Sequence, residues 1–250
     1  MFQCLADLAY GDAPRQVLDL YLPDRPAPRL FVFIHGGGWR GGDKEHYRAL
    51  GELLANFGYA VVLPNHRLAP EHPYPAMAED VAAAVAWVLR YAHESGVRQD
   101  GIFLAGHSSG AHLAALLSLH PRLLPQAGVA LGDIAGAICI SGVYDLTHYA
   151  GPGSEYLEPV FGRLPAALAE ASPLHHMRSG APPFFLAYAE HDYPGAGQQA
   201  SAMSEALERS GGAAQVVEVP GRNHVTILTG VQSILDPLAL GLSLFLRGAR

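Results

Sequence analysis

Ser108 lies in the stretch Gly106-His107-Ser108-Ser109-Gly110, a G-x-S-x-G pattern between an apolar run at 102–105 and an Ala/Leu-rich run at 113–117. A serine hydroxyl can attack a carbonyl only if the backbone holds it clear of its neighbours, and a tight strand-to-helix turn does this. The positions two before and two after it must then be tiny, because a Cβ there would strike the adjoining strand or helix. The helix that follows aims its free N–H groups and positive dipole end at the reacting centre. A plain strand–helix corner carries the same glycines, so the pattern gains chemical meaning only from partners.

Three other stretches offer partners. Residues 31–44, FVFIHGGGWRGGDK, leave an apolar run through three consecutive glycines. A phosphate-cradling loop reads G-x-x-x-x-G-K-[ST], whereas Lys44 is followed by Glu45. The other reading is an oxyanion hole, in which glycines let backbone N–H groups approach a substrate oxygen. The N–H groups of Gly37, Gly38 and Ser109 are the donors expected there. His35 reads as orienting this loop, and Trp39 either as packing or as lining for the acyl side of a pocket. Serine also needs a base of near-neutral pKa and a group that fixes the base's tautomer. Two loops supply acids and imidazoles: Glu190-His191-Asp192-Tyr193-Pro194 after the run at 183–189, and Pro220-Gly221-Arg222-Asn223-His224 after that at 215–219. Asp145, beyond another apolar run, competes for the acid's place. His107 and His112, flanking the serine turn, read as structural hydrogen bonders. The chain has thirteen histidines, but no H-E-x-x-H or Cys/His ligand spacing, and no metal is expected.

These loops need elements to hold them. Short apolar runs at 17–22, 30–34, 60–63, 102–105, 135–140, 184–189 and 215–219 read as strands, most of them continuous as in a sheet covered on both faces. Helical stretches lie between them at 47–57, 77–92 (closed by Gly96), 109–119, 199–210 and 236–245. Such alternation predicts an α/β fold: a doubly wound, mostly parallel sheet with helices on both faces. Residues 141–182, rich in Pro and aromatics and without a strand signal, read as a partly helical, cap-like insertion over the carboxyl edge of a single domain spanning 1–250. Tyr144, Tyr156 and Phe161 form either an aromatic wall for a substrate or the insertion's own core.

Bulk composition narrows the classes. A net charge of −7 excludes the basic footprint of a nucleic-acid surface. No apolar stretch approaches the length needed to span a bilayer, and the first residues lack the charge and apolar core of a signal peptide. A cytoplasmic protein without membrane contact is expected. Two cysteines, Cys4 and Cys139, are too few for a disulfide framework. Nothing in the sequence speaks to oligomeric state.

HGGGW at 35–39, NHRLAPEHPYPA at 65–76 and GHSSGAH at 106–112 together resemble the α/β-hydrolase esterases. The stretch RLAPEHP is similar to the hormone-sensitive-lipase family, which however carries Asp where His107 precedes Ser108. GHSSGAH is closer to the arylformamidase-like group, whose pattern is His-Ser-Ala-Gly-Ala-His; Ser109 replaces the usual Ala. The resemblance implies the order Ser, acid, His, hence Ser108 as nucleophile, Asp192 as acid in an x-x-Asp-x-Pro loop, and His224 as base in a Gly-x-x-His loop. Glu190 is the second choice of acid. It further implies acyl transfer without a cofactor, on a small ester or amide. Short-chain carboxylic esters are the first expectation and an aryl formamide such as N-formylkynurenine the second. A catalytically silent binding protein of this fold would lack one of the three residues.

Overall fold

The computed structural model describes residues 1–24, 29–94, 101–149, 154–231, 233 and 235–248. Its eight strands are β1 (Phe2–Ala9), β2 (Val17–Pro23), β3 (Leu30–Ile34), β4 (Ala60–Pro64), β5 (Ile102–His107), β6 (Ile134–Ile140), β7 (Phe184–His191) and β8 (Ala214–Asn223). They form one sheet in the order β1-β2-β4-β3-β5-β6-β7-β8. From β4 to β8 all neighbours are parallel, and β1 and β2 are added antiparallel at one edge.

The seven expected strands are present, and β1 is an eighth that the apolar pattern did not announce. The reason is a bulge. Pairing with β2 shifts between Leu5 and Leu8, and Asp7 takes a φ of +54°. The half-buried side chains therefore fall at Phe2, Leu5 and Leu8, every third residue, where a strand search looks for every second.

The central strands are apolar on both faces because both are covered. Val32, Ile34, Leu104 and Leu186 face a core shared with helices α2 (Ala76–Glu94) and α3 (Ser109–Leu119) and with the helix Ala196–Arg209. Phe31, Phe33, Phe103 and Phe185 face the other core, closed by α1 (Arg48–Asn56) and the C-terminal helix Pro237–Gly248. Every residue of α3 is buried, as befits a helix that is apolar all round and lies between other layers. Gly96, expected to close α2, lies outside the described residues.

After β6 the chain makes short helical turns between Leu146 and His176, and residues 150–153 of this stretch lie outside the description. Leu157, Val160, Phe161, Leu168 and Ala171 from these turns join the same core as α3. Among the described residues, no helix is long and apolar enough to cross a membrane.

The sheet edge beneath the glycine loop is tied by buried charge. Lys44, 3% exposed, donates to Asp19 at 2.8 Å and contacts Asp7 at 2.9 Å. Burial alone would lower its pKa; the hydrogen bonds to Asp19 and Asp7 outweigh that and hold it above the ordinary value. Asp80 of α2, 1% exposed, receives Arg67 Nε and Nη2 together with the Arg67 N–H. This two-pronged pair explains the Arg of the RLAPEHP stretch: it anchors the loop after β4 to α2.

Candidate active site

Every loop singled out for chemistry leaves the carboxyl end of a strand: the glycine loop after β3, the serine turn after β5, the Asp192 loop after β7 and the His224 loop after β8. In an open α/β sheet this edge is where sites form.

Ser108 sits at φ +56°, ψ −121° at the head of α3. The flanking glycines are sterically required. A Cβ on Gly106 would lie 2.4 Å from the Gly110 carbonyl, and one on Gly110 would lie 2.1 Å from the Ile34 oxygen. The side chain of Ser108 remains partly exposed while its neighbours are buried.

Three of the expected residues meet in a single line of hydrogen bonds. His224 Nε2 lies 3.0 Å from Ser108 Oγ, and His224 Nδ1 lies 2.6 Å from Asp192 Oδ1. An ionised Asp192 only accepts, so Nδ1 carries the proton and Nε2 is free to accept from the serine. Asp192 also receives the Ala189 N–H at 3.0 Å, the Tyr193 N–H at 2.9 Å and the Ser141 hydroxyl at 2.5 Å. Burial would raise its pKa, but these donors together with His224 hold it at about 2. The carboxylate is thus charged at any pH where the imidazole is neutral. The rival acids lie elsewhere: Glu190 accepts the exposed Gly221 N–H, and Asp145 caps Thr147.

Sequence reasoning missed Ser141. It follows β6 with φ +53°, unusual for a residue with a side chain, and is 1% exposed. No local motif announces a hydroxyl whose partner is 51 residues away. Strain held at such a position is consistent with aiming that hydroxyl at Asp192. Ser141→Ala is expected to lower kcat about tenfold, since a hydrogen bond to a charged group is worth about 1.5–3 kcal/mol and other donors remain. Ser141→Gly should be equally impaired yet melt higher than the Ala variant, because glycine relieves about 1 kcal/mol of backbone strain. Equal melting of the two, with kcat unchanged, would remove Ser141 from the site.

The glycine loop turns back tightly. Gly37 has φ +136° and Gly38 φ +60°; a Cβ on Gly37 would lie 2.2 Å from the Gly41 oxygen. The Gly37 carbonyl accepts from Gly41 N–H at 3.0 Å and from Arg40 N–H at 3.3 Å. Ser109 is the first residue of α3, so its N–H has no partner within that helix. His35 is 1% exposed and stacks on His66 with ring centroids 4.3 Å apart. It sits under the loop, as an orienting residue should, and away from the Asp192–His224–Ser108 line.

The aromatic residues resolve differently from an open wall. Trp39, Tyr144 and Phe161 are 5%, 1% and 5% exposed, so they are packed as core and do not line an open substrate surface. Trp39 donates to His112 Nδ1 at 3.1 Å, and its ring meets Phe161 edge-on. Tyr156 is the exposed member, lying over Gly38 with its hydroxyl 3.4 Å from the Gly38 oxygen. One cluster, His120–Glu170–His176, brings metal-type ligand atoms within 4.8 Å of one another. Its protons argue against that use. His120 Nδ1 accepts the N–H groups of Arg122 and Leu123, which leaves its proton on Nε2, facing Glu170 at 3.1 Å. Arg122 supplies the positive charge to the same carboxylate.

Residues 18–207 match the family model described as BD-FAE. The chain belongs to the BD-FAE family. Among the relatives of this BD-FAE chain is Esterase LipC of Mycobacterium tuberculosis, 31% identical over 261 residues, covering 95% of this chain and 63% of LipC. The chain therefore spans under two thirds of that relative. Kynurenine formamidase of Danio rerio is 29% identical, covering 90% of this chain and 76% of its own. In three dimensions the chain is similar to Esterase B of Lactobacillus rhamnosis, with a TM-score of 0.82 and 20% identity over 98% of this chain and 86% of that one. The fold is that of the α/β-hydrolase esterases, as the motifs around Gly37, Arg67 and Ser108 implied.

Proposed function

We propose that this BD-FAE chain is a serine hydrolase that cleaves short-chain carboxylic esters through an acyl-enzyme. The observation that carries the reading is the Asp192–His224–Ser108 line, with its proton direction set by a carboxylate charged down to about pH 2. His224 Nε2 takes the Ser108 proton as Oγ attacks the ester carbonyl. The resulting oxyanion is held by the N–H groups of Gly37, Gly38 and Ser109. The imidazolium, stabilised by Asp192, returns the proton to the leaving alcohol. Water then enters by the same steps, releasing the acid and restoring the serine. The cycle balances with water alone and calls for no cofactor or metal.

The 141–182 insertion is read as a small cap on one domain. Because Trp39, Tyr144 and Phe161 fill its interior themselves, the insertion offers short acyl groups more than long ones. The acidic balance favours a small-molecule substrate over nucleic acid. A second reading, hydrolysis of an aryl formamide, is supported by the similarity to kynurenine formamidase, of which the chain covers a larger share than it does of LipC.

The test compares kcat/KM on p-nitrophenyl acetate, butyrate and decanoate and on N-formylkynurenine. Acetate and butyrate are expected to exceed decanoate at least tenfold and to exceed the formamide. A reversed ester-to-formamide ratio selects the second reading. Failure of a fluorophosphonate to label Ser108, with no turnover of any of the four, would overturn both.

A further inference from the structure

His107 and Tyr47 are buried polar residues that the acyl-transfer cycle leaves without a task. Their hydrogen bonds form one chain. Gly36 N–H donates to Tyr47 Oη at 3.0 Å, Tyr47 Oη lies 3.2 Å from His107 Nδ1, and His107 Nε2 lies 2.8 Å from the His224 carbonyl oxygen. Only one placement of protons satisfies all three contacts. The Tyr47 oxygen accepts from Gly36, so its single proton goes to His107 Nδ1. Nδ1 is therefore bare, and a neutral imidazole then carries its proton on Nε2, facing an oxygen that can only accept. Burial, with His224 close by, keeps His107 neutral down to about pH 4.

The chain joins two loops that are remote in sequence. Gly36 opens the glycine turn, next to Gly37 and Gly38. His224 carries the imidazole, and its ring lies 4.8 Å from that of His107. Gly36 is fitted closely to this junction: a Cβ there would stand 2.9 Å from the His107 oxygen, 3.2 Å from its Nδ1 and 3.2 Å from Tyr47 Oη. Tyr47 is itself held by its ring against Phe33, at 5.0 Å between centroids. Both nitrogens of His107 are committed, so it cannot serve as a second base for Ser108.

We infer that Tyr47 and His107 are positioning residues that set the distance between the oxyanion-binding loop and the base, so that donor N–H groups and imidazole reach the same carbonyl together. This rests on the roles proposed for Ser108 and His224. A slack brace would weaken contacts made only in the transition state and so would lower kcat more than it raised KM.

The experiment measures kcat, KM and thermal melting for Tyr47→Phe, His107→Leu, His107→Gln and the Tyr47→Phe/His107→Leu double variant, with fluorophosphonate labelling of the wild type alongside. Tyr47→Phe is expected to lower kcat about tenfold with KM within twofold. The double variant should be no slower than His107→Leu alone, because both break one chain. His107→Gln, whose amide can still donate toward the His224 carbonyl, should recover part of the loss. A Tyr47→Phe kcat within twofold of wild type, or full additivity in the double variant, overturns the brace. If the His107 variants do not fold, Tyr47→Phe alone decides. A wild type that neither labels nor hydrolyses esters fails at the level of the Ser108 and His224 roles instead.

Discussion

Ser108→Ala is expected to reduce kcat by about 10⁴–10⁶ while the protein melts at the wild-type temperature. The second half of this expectation follows from the backbone. Ser108 is held at φ +56° by the packing of Gly106 and Gly110 against the strand and helix on either side. Alanine has the same Cβ and the same strain, so nothing in the fold changes. The residual rate should remain above that in water by about 10³, because the glycine-loop donors still bind the oxyanion. Ser108→Gly adds a diagnostic: equally inactive, it should be more stable than wild type by about 1 kcal/mol, the strain released at a left-handed position. Ester hydrolysis by Ser108→Ala within tenfold of wild type would remove the hydroxyl from the reaction. An inactive Ser108→Gly that melted below wild type would contradict the strain account.

The second large effect concerns acid. Burial depresses His35 to about pKa 3 and His66, His107 and His112 to about 4. In the unfolded chain each titrates near 6.5. Below that pH the unfolded state binds more protons than the folded one, so stability rises with pH and is lost as pH falls from about 6.5 toward 4. At pH 5 each histidine forfeits about 2 kcal/mol, and the four together up to about 8 kcal/mol. That is comparable with the whole stability of an ordinary domain, about 5–15 kcal/mol. Asp192 contributes in a lower window, between about pH 4 and 2. Urea midpoints measured from pH 7.5 to 4.5 should fall steeply below 6.5, with an uptake approaching four protons on unfolding. His112→Gln, which keeps a donor for the Ala171 carbonyl and an acceptor for Trp39, should reduce that uptake by one. A midpoint flat to pH 4.5 would show that these imidazoles are not held neutral.

The parts readable from residue order alone were those set by local sterics or by burial on two sides. Gly106 and Gly110 announced the turn at Ser108 because the clash they avoid is with chain only a few residues away or one strand over. The strands from Leu30 onward were visible because both sheet faces are covered, and α3 was expected at Ser109–Leu119 and is found there. Asp192 and His224 were reached by strand-end position and family resemblance, not by any local pattern.

What escaped was set by tertiary contact. β1 hides its pairing behind the bulge at Asp7. Ser141 adopts its left-handed backbone only because β6, β7 and the Asp192 loop converge on it. Tyr144 and Phe161 have the same residue type whether they line a pocket or fill one. The packing around them decides, and here they are enclosed.

Lys44 has a practical consequence. It is the sole lysine of the chain, and its ammonium lies at 3% exposure between Asp19 and Asp7. Reagents that acylate primary amines, including the active esters used for biotinylation, surface immobilisation and cross-linking, therefore find no open side-chain target while the protein is folded. The same reaction run in denaturant should modify Lys44 freely, making its acylation a covalent record of how often this edge of the sheet comes apart.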